Sequence, residues 1–494
     1  MLNQIKLMEK LTSILNGVDL ISDIPIDVPI QSICADSRRV WPGSIFVAIH
    51  GTQQDGTKFI PEALAKGAAA VVSNGKSIDA EVSSNTPLIR VQDPRQALSQ
   101  MAANYYDNPS AVRTLIGVTG TNGKTTTCHI LYDILETYGL KVGIMGTLGA
   151  KSQGMEASTS LTTPDSLELQ RLLSLFRDGG VTHVIMEVSS HSLEMQRVSN
   201  VLFDYAVFTN LTQDHLDFHV TMENYFQAKS KLFSMVNSEG KTILNSADPW
   251  AEELRKFCSS PVVSCAIEGD EDVHFEEWGM SRDGITGTIV LGDRKISVNS
   301  ALLGVHNLEN ILSAAATAWS MGIPLEAIEA GITACNSIPG RMEQFTTRNG
   351  ATVVVDYAHT PDAYEKLFTS LKSLLTDNGK LWVIFGCGGD RDHNKRPLMA
   401  EKAEEYANKI FVVPDNPRME SQENINMEIE SGFSQKKHEI LKSRTSAIVD
   451  VITQMDSNDI LAVVGKGRAN FEIVGTEHIP YSDVDTVLKA IDEN

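Results

Sequence analysis

The residues Gly117-Val118-Thr119-Gly120-Thr121-Asn122-Gly123-Lys124-Thr125-Thr126-Thr127 combine glycines, an ammonium group and a run of hydroxyls. That set suits a polyphosphate. Backbone N–H groups of a glycine-rich turn point at an anion, and a following helix N-terminus favours it electrostatically. Lys124 is placed to reach the terminal phosphates and the Thr125 hydroxyl to hold Mg²⁺. The common phosphate-loop spacing wants a glycine where Val118 stands, so the loop is a variant centred on Gly120, Thr121, Asn122, Gly123, Lys124, Thr125 and Thr126. Two further stretches carry ligating groups: Glu187-Val-Ser-Ser-His191 and Asn210-Leu-Thr-Gln-Asp-His215-Leu-Asp217. Taken singly, each carboxylate or imidazole is an ordinary solvated loop residue. Following strands that come after a phosphate loop, they could complete a Mg²⁺ shell begun by Thr125. A third stretch, Tyr225-Phe-Gln-Ala-Lys229-Ser-Lys231-Leu-Phe233, reads as a helix with an apolar stripe of Phe226, Leu232 and Phe233. Its lysines, on pattern alone, belong on the solvated side.

The elements that must position these groups follow from hydrophobic pattern. Thr114-Leu115-Ile116 is a short apolar run, as in a buried parallel strand. Ile130, Leu131, Ile134, Leu135 and Tyr138 recur at helical spacing after the loop, and Gly139 suits the helix end. Val184–Val188 and Tyr205–Asn210 predict two more buried strands, so this part is a mostly parallel sheet whose strand C-termini carry the ligand. Residues 285–298 read as a hairpin in a small side sheet, and a helix is expected from Asn307 to Met321. Before residue 108 the chain reads as short strands and helices, with a helix predicted from Phe59 to Ala70. Beyond Pro339-Gly340 four apolar runs, starting near Val353, Leu381, Lys409 and Leu461, again alternate with helices in a Rossmann-like pattern. The expected fold class is therefore α/β in three domains, 1–108, 109–337 and 338–494, with the phosphate loop in the central one.

Composition narrows the function classes. The chain has 494 residues, 42% hydrophobic and 21% charged, with a net charge of −21. That balance argues against a nucleic-acid partner held through phosphates. Six cysteines lie scattered, without metal-ligand spacing, and read as reduced buried thiols of a cytoplasmic protein. The N-terminal residues lack the apolar core of a signal peptide, and no run reaches membrane-spanning length.

Seven motifs occur in order: Thr119-Gly-Thr-Asn-Gly-Lys-Thr-Thr126, Glu187-Val-Ser-Ser-His191, Asn210-Leu-Thr-Gln-Asp-His-Leu-Asp217, Ala228-Lys229, His306-Asn-Leu-Glu-Asn310, Pro339-Gly-Arg341-Met-Glu343 and Asp356-Tyr-Ala-His359-Thr-Pro361. Together they resemble the Mur ligase family, the ATP-dependent amide ligases of peptidoglycan precursor synthesis, over essentially the whole chain. Asp36-Ser37-Arg38, Thr162-Thr163-Pro164, Gly386-Cys-Gly-Gly-Asp-Arg391-Asp392 and Asp415-Asn416-Pro417-Arg418 are similar to the branch that adds the third residue of the stem peptide, most nearly its meso-diaminopimelate-adding members.

The resemblance implies roles residue by residue. Ser37, Thr52, Gln53, Gln54, Thr162, Thr163, Ser189 and Arg197 would hold the UDP-N-acetylmuramoyl-dipeptide. Gly120 to Thr126 would bind the ATP phosphates, Asn307 and Asn310 the adenine side, and Arg341 and Asp356 phosphate and ribose. Thr125, Glu187, His215 and Lys229, the last as a CO₂-derived carbamate, would hold Mg²⁺; Lys124, Lys229, His215 and Glu187 form the catalytic set. Arg391, Asp415, Asn416, Pro417, Arg418 and Gly465 would bind the incoming amino acid. The implied enzyme is a cytoplasmic monomer with no nucleic-acid partner and no membrane span.

The pattern departs from the family at two places. Diaminopimelate-adding members usually read Gly-Lys-Gly-His-Glu near the C-terminus, where this chain reads Gly465-Lys-Gly-Arg468-Ala469. Met195 stands where the family often has glutamine. The alternatives are a relative using L-lysine or serving secondary metabolism, a folylpolyglutamate synthetase, and a non-catalytic ATP-binding switch.

Overall fold

The computed structural model describes residues 8–21, 26–51, 54–75, 86–281, 283–376, 378–435 and 438–493. It is α/β throughout, and it divides into two compact units: residues 1–117 with 141–204, and residues 118–140 with 205–494.

In the first unit, Ser32–Cys34, Ser44–Val47, Ala70–Ser73 and Leu88–Arg90 form a four-stranded parallel sheet. Its strands are buried on both faces, as a parallel sheet requires, between Ile45, Val47 and Val72 on one side and Phe46, Ala48 and Val71 on the other. The helix expected from Phe59 to Ala70 is shorter than its pattern suggested. Residues Gly56–Phe59 form a 3₁₀ turn and the helix proper is Ile60–Ala65. Gly67, at φ 89°, ends it, with the Ala68 N–H returning to the Ala63 carbonyl, so the chain turns in time for Ala70 to open a strand. The same unit holds Val142–Gly146 paired in parallel with His183–Glu187, and antiparallel with Gly149–Ser152.

In the second unit, the helix Lys124–Thr137 follows the phosphate loop and closes on Gly139, at φ 90°. Val236–Asn245, Val262–Ala266 and Val273–Ser281 run parallel. The hairpin Gly284–Leu291 with Arg294–Ser300 continues that sheet as its antiparallel edge. The helix His306–Ser320 matches the apolar spacing and is buried along most of its length. The four apolar runs of the C-terminal region are Thr352–Asp356, Leu381–Phe385, Lys409–Val412 and Ile460–Val464, all in one six-stranded sheet. Glu343–Thr346 adds an antiparallel edge that lacks an apolar run of its own.

A backbone feature sits just before the helix Met222–Ser234. Val220 has φ 70° and ψ −46°, and the Thr221 N–H bonds the His219 carbonyl across it. This tight positive-φ turn is strained for a β-branched residue, by roughly 1–3 kcal/mol. The Val220 side chain is 73% exposed and has little packing to lose. Val220→Gly is therefore expected to raise the melting temperature, offset in part by the added chain entropy of glycine; thermal unfolding of the purified variant checks the sign.

Candidate active site

The phosphate loop is wrapped by the second ligating stretch, a pairing that neither segment discloses alone. The Thr121 N–H donates to the Asn210 carbonyl at 2.8 Å and the Asn122 N–H to Asn210 Oδ1 at 2.9 Å. Thr209 Oγ1 donates to the Asn122 carbonyl at 2.6 Å, and the Thr212 N–H to Thr121 Oγ1 at 3.0 Å. Glycine is required twice by close approach. A Cβ on Gly120 would lie 1.9 Å from Thr209 Oγ1, and one on Gly123 would lie 2.3 Å from Asn310 Oδ1. Asn310 thus touches the loop, and it is held by Asn307, whose Oδ1 accepts its amide at 2.8 Å.

Lys124 folds back over the loop, donating to the Gly120 carbonyl at 2.9 Å and to the Thr121 carbonyl at 2.8 Å. Lys229 meets the same Gly120 carbonyl from the opposite element, at 2.7 Å. Contrary to the solvated placement its helix pattern suggested, Lys229 is buried, at 2% exposure, whereas Lys231 is exposed. The reason is tertiary: the apolar stripe of this helix is wide enough to include position 229, between Tyr225 and Phe233. Burial, together with the nearby Lys124 ammonium, pushes the Lys229 pKa well below the ordinary lysine value. Tyr225 joins the parts. Its hydroxyl lies 3.2 Å from Thr121 Oγ1, its ring lies 4.6 Å below the Lys229 ammonium, and it meets the His215 ring edge-on at 6.2 Å.

His215 sits at φ 55° beside the buried Asp214. Asp214 collects His215 Nε2 at 3.3 Å, His359 Nε2 at 3.6 Å and Lys395 Nζ at 3.1 Å. Burial acts to raise its pKa, but Lys395 and the two imidazoles outweigh that and hold it well below the usual carboxylate range. Arg341 reaches the phosphate loop, its Nη2 donating to Thr125 Oγ1 at 2.9 Å. Asn122 reaches Asp362 at 2.9 Å. Asp356 accepts the Met342 and Ala358 N–H groups at 2.7 and 2.6 Å, which fixes the turn carrying Arg341. Asp214 and Tyr225 lie within stretches legible in the sequence but have no role assigned there, Asp362 and Lys395 lie in none of those stretches, and only the folded chain brings the four to the loop.

His306 opens the helix that carries Asn307 and Asn310. Burial, with Lys366 and Arg341 nearby, lowers its pKa from 6.5 to about 4. Between those values the unfolded chain binds a proton that the folded chain refuses. The neutral imidazole therefore supports the fold fully above pH 6.5, and that support is lost as pH falls through about 4, up to roughly 3 kcal/mol. His306→Gln is expected to flatten the acid limb of a stability-against-pH curve between those limits, measured by urea unfolding.

The remaining site residues of the first unit form their own cluster. Glu187 Oε1 accepts the Thr147 N–H at 2.7 Å. Thr163 Oγ1 donates to the Glu187 carbonyl at 2.9 Å and accepts the Ser189 N–H at 3.0 Å. Thr162 lies 3.2 Å from Thr147, hydroxyl to hydroxyl, and Arg197 Nη1 donates to the Thr163 carbonyl at 3.1 Å. Met195 supplies a sulfur to Arg197 at 3.3 Å. Thr162, Thr163, Ser189 and Arg197 are thus brought together. The Ser37 hydroxyl donates to Glu62 at 2.9 Å; Gln54 is exposed, and Thr52 and Gln53 lie outside the described residues.

In the C-terminal region two loops carry the amino-acid candidates. The Gly389 N–H donates to the Asn416 carbonyl at 2.8 Å, and Arg418 Nη1 to the Gly389 carbonyl at 2.7 Å. Arg391 is close enough that, after burial, its charge is the next factor depressing the Arg418 pKa. Lys466, buried, bridges Asp415 Oδ1 at 3.1 Å and Asn416 Oδ1 at 2.9 Å. Gly465, at φ 111°, would bring a Cβ 2.9 Å from Asp415 Oδ2. Arg468 turns away and pairs with Glu343, Nε to Oε2 at 2.8 Å.

All six cysteines are free thiols, five of them buried. Among the described residues no helix is long and apolar enough to cross a membrane.

Three family models match along the chain: the Mur ligase family catalytic domain over residues 29–106, the Mur ligase middle domain over 118–318, and the Mur ligase glutamate ligase domain over 340–467. A UDP-N-acetylmuramoyl-L-alanyl-D-glutamate--2,6-diaminopimelate ligase of Gloeobacter violaceus is 39% identical over 469 residues, 94% of each chain. A ligase of the same name from Bacillus cereus is 39% identical over 485 residues, 96% of this chain and 97% of its own. A solved structure of a ligase of that name superposes with a TM-score of 0.68 at 31% identity, covering 98% of this chain and 99% of the other. The MurF ligase of Thermotoga maritima in complex with ADP, at 20% identity and a TM-score of 0.65, shares the fold. The chain is a ligase of the Mur ligase family.

Proposed function

We propose that this chain is the ATP-dependent, ADP-forming ligase that joins meso-diaminopimelate to UDP-N-acetylmuramoyl-L-alanyl-D-glutamate, a cytoplasmic step of peptidoglycan precursor synthesis. The observation that carries the choice of amino acid is the juxtaposed Arg391 and Arg418 beside the Asp415–Lys466 pair. Two guanidinium groups on joined loops make a site for a carboxylate, and a carboxylate at the far end is what diaminopimelate has and lysine lacks. The relatives' names support the same reading. Three working domains, 1–108, 109–337 and 338–494, accord with three family models that match separately.

In this reading Gly120 to Thr126 bind the ATP phosphates, Asn307 and Asn310 the adenine side, and Arg341 and Asp356 phosphate and ribose. Thr162, Thr163, Ser189, Arg197, Ser37 and residues 52–54 hold the UDP-substrate. Among the described residues no three His, Cys, Asp or Glu side chains converge as a metal cage. Mg²⁺ needs none, since it is commonly held by one or two protein oxygens with water and substrate phosphates. The hydroxyl of Thr125 and an oxygen-bearing Lys229 fit that chemistry, with His215 beside them; Glu187 is proposed as a ligand as well. When bound, Mg²⁺ supplies charge neutralisation between the phosphates and the attacking carboxylate. Lys229 would carry a carbamate: its neutral amine adds CO₂, forming a C–N bond and releasing one proton. Burial provides the neutral amine that the addition needs.

The substrate's glutamyl carboxylate attacks the γ-phosphorus, and the bond to ADP breaks. Lys124, released from the Gly120 and Thr121 carbonyls, turns to the transferring phosphoryl group, and Arg341 leaves Thr125 for the same charge. The incoming neutral amine then attacks the carbonyl carbon of the acyl phosphate, the acyl C–O bond breaks, phosphate leaves, and one amine proton is released to solvent as the amide forms. The test is a purified-protein assay with ATP, Mg²⁺, the UDP-muramoyl-dipeptide and a panel of amino acids. ADP release that requires both acceptor and amine, with a diaminopimelate adduct, supports the reading. ADP release with neither partner present would instead make the chain a nucleotide switch.

A further inference from the structure

The loops that carry Arg391 and Arg418 are both held in costly conformations. Asp390 and Arg418 each have φ 51°, the left-handed region that side chains other than glycine seldom adopt. Such residues persist where their surroundings over-determine them. Here the loops approach backbone to backbone: a Cβ on Gly389 would lie 1.9 Å from the Pro417 carbonyl oxygen, and one on Gly388 would lie 2.8 Å from Arg418 Nη1 and 3.8 Å from Arg391 Cγ. The Met419 N–H reaches Asp390 Oδ2 at 3.2 Å, and the Asp390 N–H donates to Glu420.

Beneath them lies Arg396, a fully buried arginine on the helix Lys395–Tyr406. Its two terminal nitrogens grip Glu420 in a fork, at 2.9 and 3.0 Å. Nη2 also donates to the Gly388 carbonyl at 2.9 Å, and Nη1 to Glu428 at 2.7 Å, with His393 Nδ1 at 3.2 Å. One guanidinium therefore ties the 388–391 loop, through Gly388, to the 415–420 loop, through Glu420.

We propose that Arg396 is the positioning residue of the amino-acid site, setting the spacing between Arg391 and Arg418 without touching the amino acid itself. The proposal rests on the reading of those two arginines as the carboxylate site. A forked, charge-assisted pair fixes geometry as well as energy, and a displacement of about 1 Å in a binding group can cost roughly 100-fold. Lysine at 396 keeps the charge and loses the fork, so it cannot hold both loops.

The experiment uses the full-length enzyme and steady-state kinetics with each substrate varied in turn. Arg396→Met and Arg396→Lys are expected to raise KM for diaminopimelate roughly 100-fold. KM for ATP and for the UDP-substrate should stay within about threefold. The preference for diaminopimelate over lysine should fall with it. Glu420→Gln, whose side chain is 18% exposed and tolerates the change better, is expected to raise the same KM roughly tenfold, and it decides the matter if the Arg396 variants do not fold. A merely structural arginine would lower melting temperature and active fraction while leaving KM values and discrimination intact, and that outcome overturns the proposal. So does an unchanged diaminopimelate KM in Glu420→Gln. If the wild type ligates a different amino acid, the reading of the substrate fails on its own, and the KM for that amino acid still tests Arg396.

Discussion

Lys229→Ala is expected to lower kcat by roughly 10²- to 10³-fold, the scale seen when one preorganised electrostatic group at a reacting centre is removed. The neighbouring Lys231→Ala should change it little. The difference lies in burial, since Lys231 is exposed while Lys229 is enclosed with its amine on the Gly120 carbonyl. A free ammonium there would face Lys124, which shares that carbonyl at 2.9 Å, and like charges so close disfavour each other. A carbamate reverses the sign at position 229 and removes the conflict. Short carboxylates added to Lys229→Ala should restore part of the rate by standing in for the carbamate oxygens, which an ammonium donor could not explain. Lys229→Met offers a second readout. It removes a buried amine that the fold must desolvate, and Gly120 keeps its bond from Lys124, so the inactive variant is expected to be as stable as the wild type or more so, by about 1–4 kcal/mol. Near-normal turnover in Lys229→Ala, or turnover lost instead in Lys231→Ala, would show that the wrong lysine has been chosen.

The contrast between Lys229 and the phosphate loop shows what local sequence can and cannot carry. Gly120, Gly123, Lys124 and Thr125 disclose themselves because a turn and a helix start need those residue types in that order. The strands at 352–356, 381–385, 409–412 and 460–464 are equally legible, as apolar runs buried on both faces. Lys229 was not legible from its helix, because a single lysine on an apolar face cannot be told from one beside it until the facing element is known. Only the family resemblance singled it out. Asp214, Tyr225 and Arg396 lie further from reach. Arg396 acts through Glu420 and Glu428, 24 and 32 positions away, Tyr225 through Thr121, 104 away, and Asp214 through Lys395, 181 away, and a contact of that kind leaves no period in the sequence. The helix ending at Ala65 failed for a smaller reason, a Gly67 cap whose left-handed turn outweighs the apolar pattern continuing past it.

Arg418→Ala is expected to abolish most of the discrimination between meso-diaminopimelate and L-lysine. The two amino acids share a distal ammonium and differ in the distal carboxylate. Arg418 has one nitrogen committed to the Gly389 carbonyl at 2.7 Å; the rest of its guanidinium, with Arg391 beside it, is the carboxylate's partner in this reading. A hydrogen bond to a charged group contributes roughly 1.5–3 kcal/mol, so one such contact corresponds to about 10- to 150-fold in kcat/KM. Lysine would in addition leave the half-buried Arg418 guanidinium, with the exposed Arg391 beside it, unneutralised, which widens the gap. The shared ammonium is a separate matter, because Ala469 cannot receive it. Asn470 and Glu472 follow Ala469 in the sequence as the candidates to take its place, and of the two Glu472 carries the carboxylate. It is half-buried on the strand Phe471–Val474, whose Ile473 N–H donates to Asn416 Oδ1 at 2.9 Å. Its carboxyl is raised in pKa by burial and lies within the fields of Lys466 and Asp415. Glu472→Gln should therefore weaken diaminopimelate and lysine by a similar factor and leave their ratio alone, whereas Arg418→Ala should collapse the ratio. The measurement is kcat/KM for both amino acids in the wild type and the two variants. Equal use of lysine by the wild type, or full discrimination by Arg418→Ala, would remove Arg418 from the specificity site and return the choice of amino acid to the residues around Lys466.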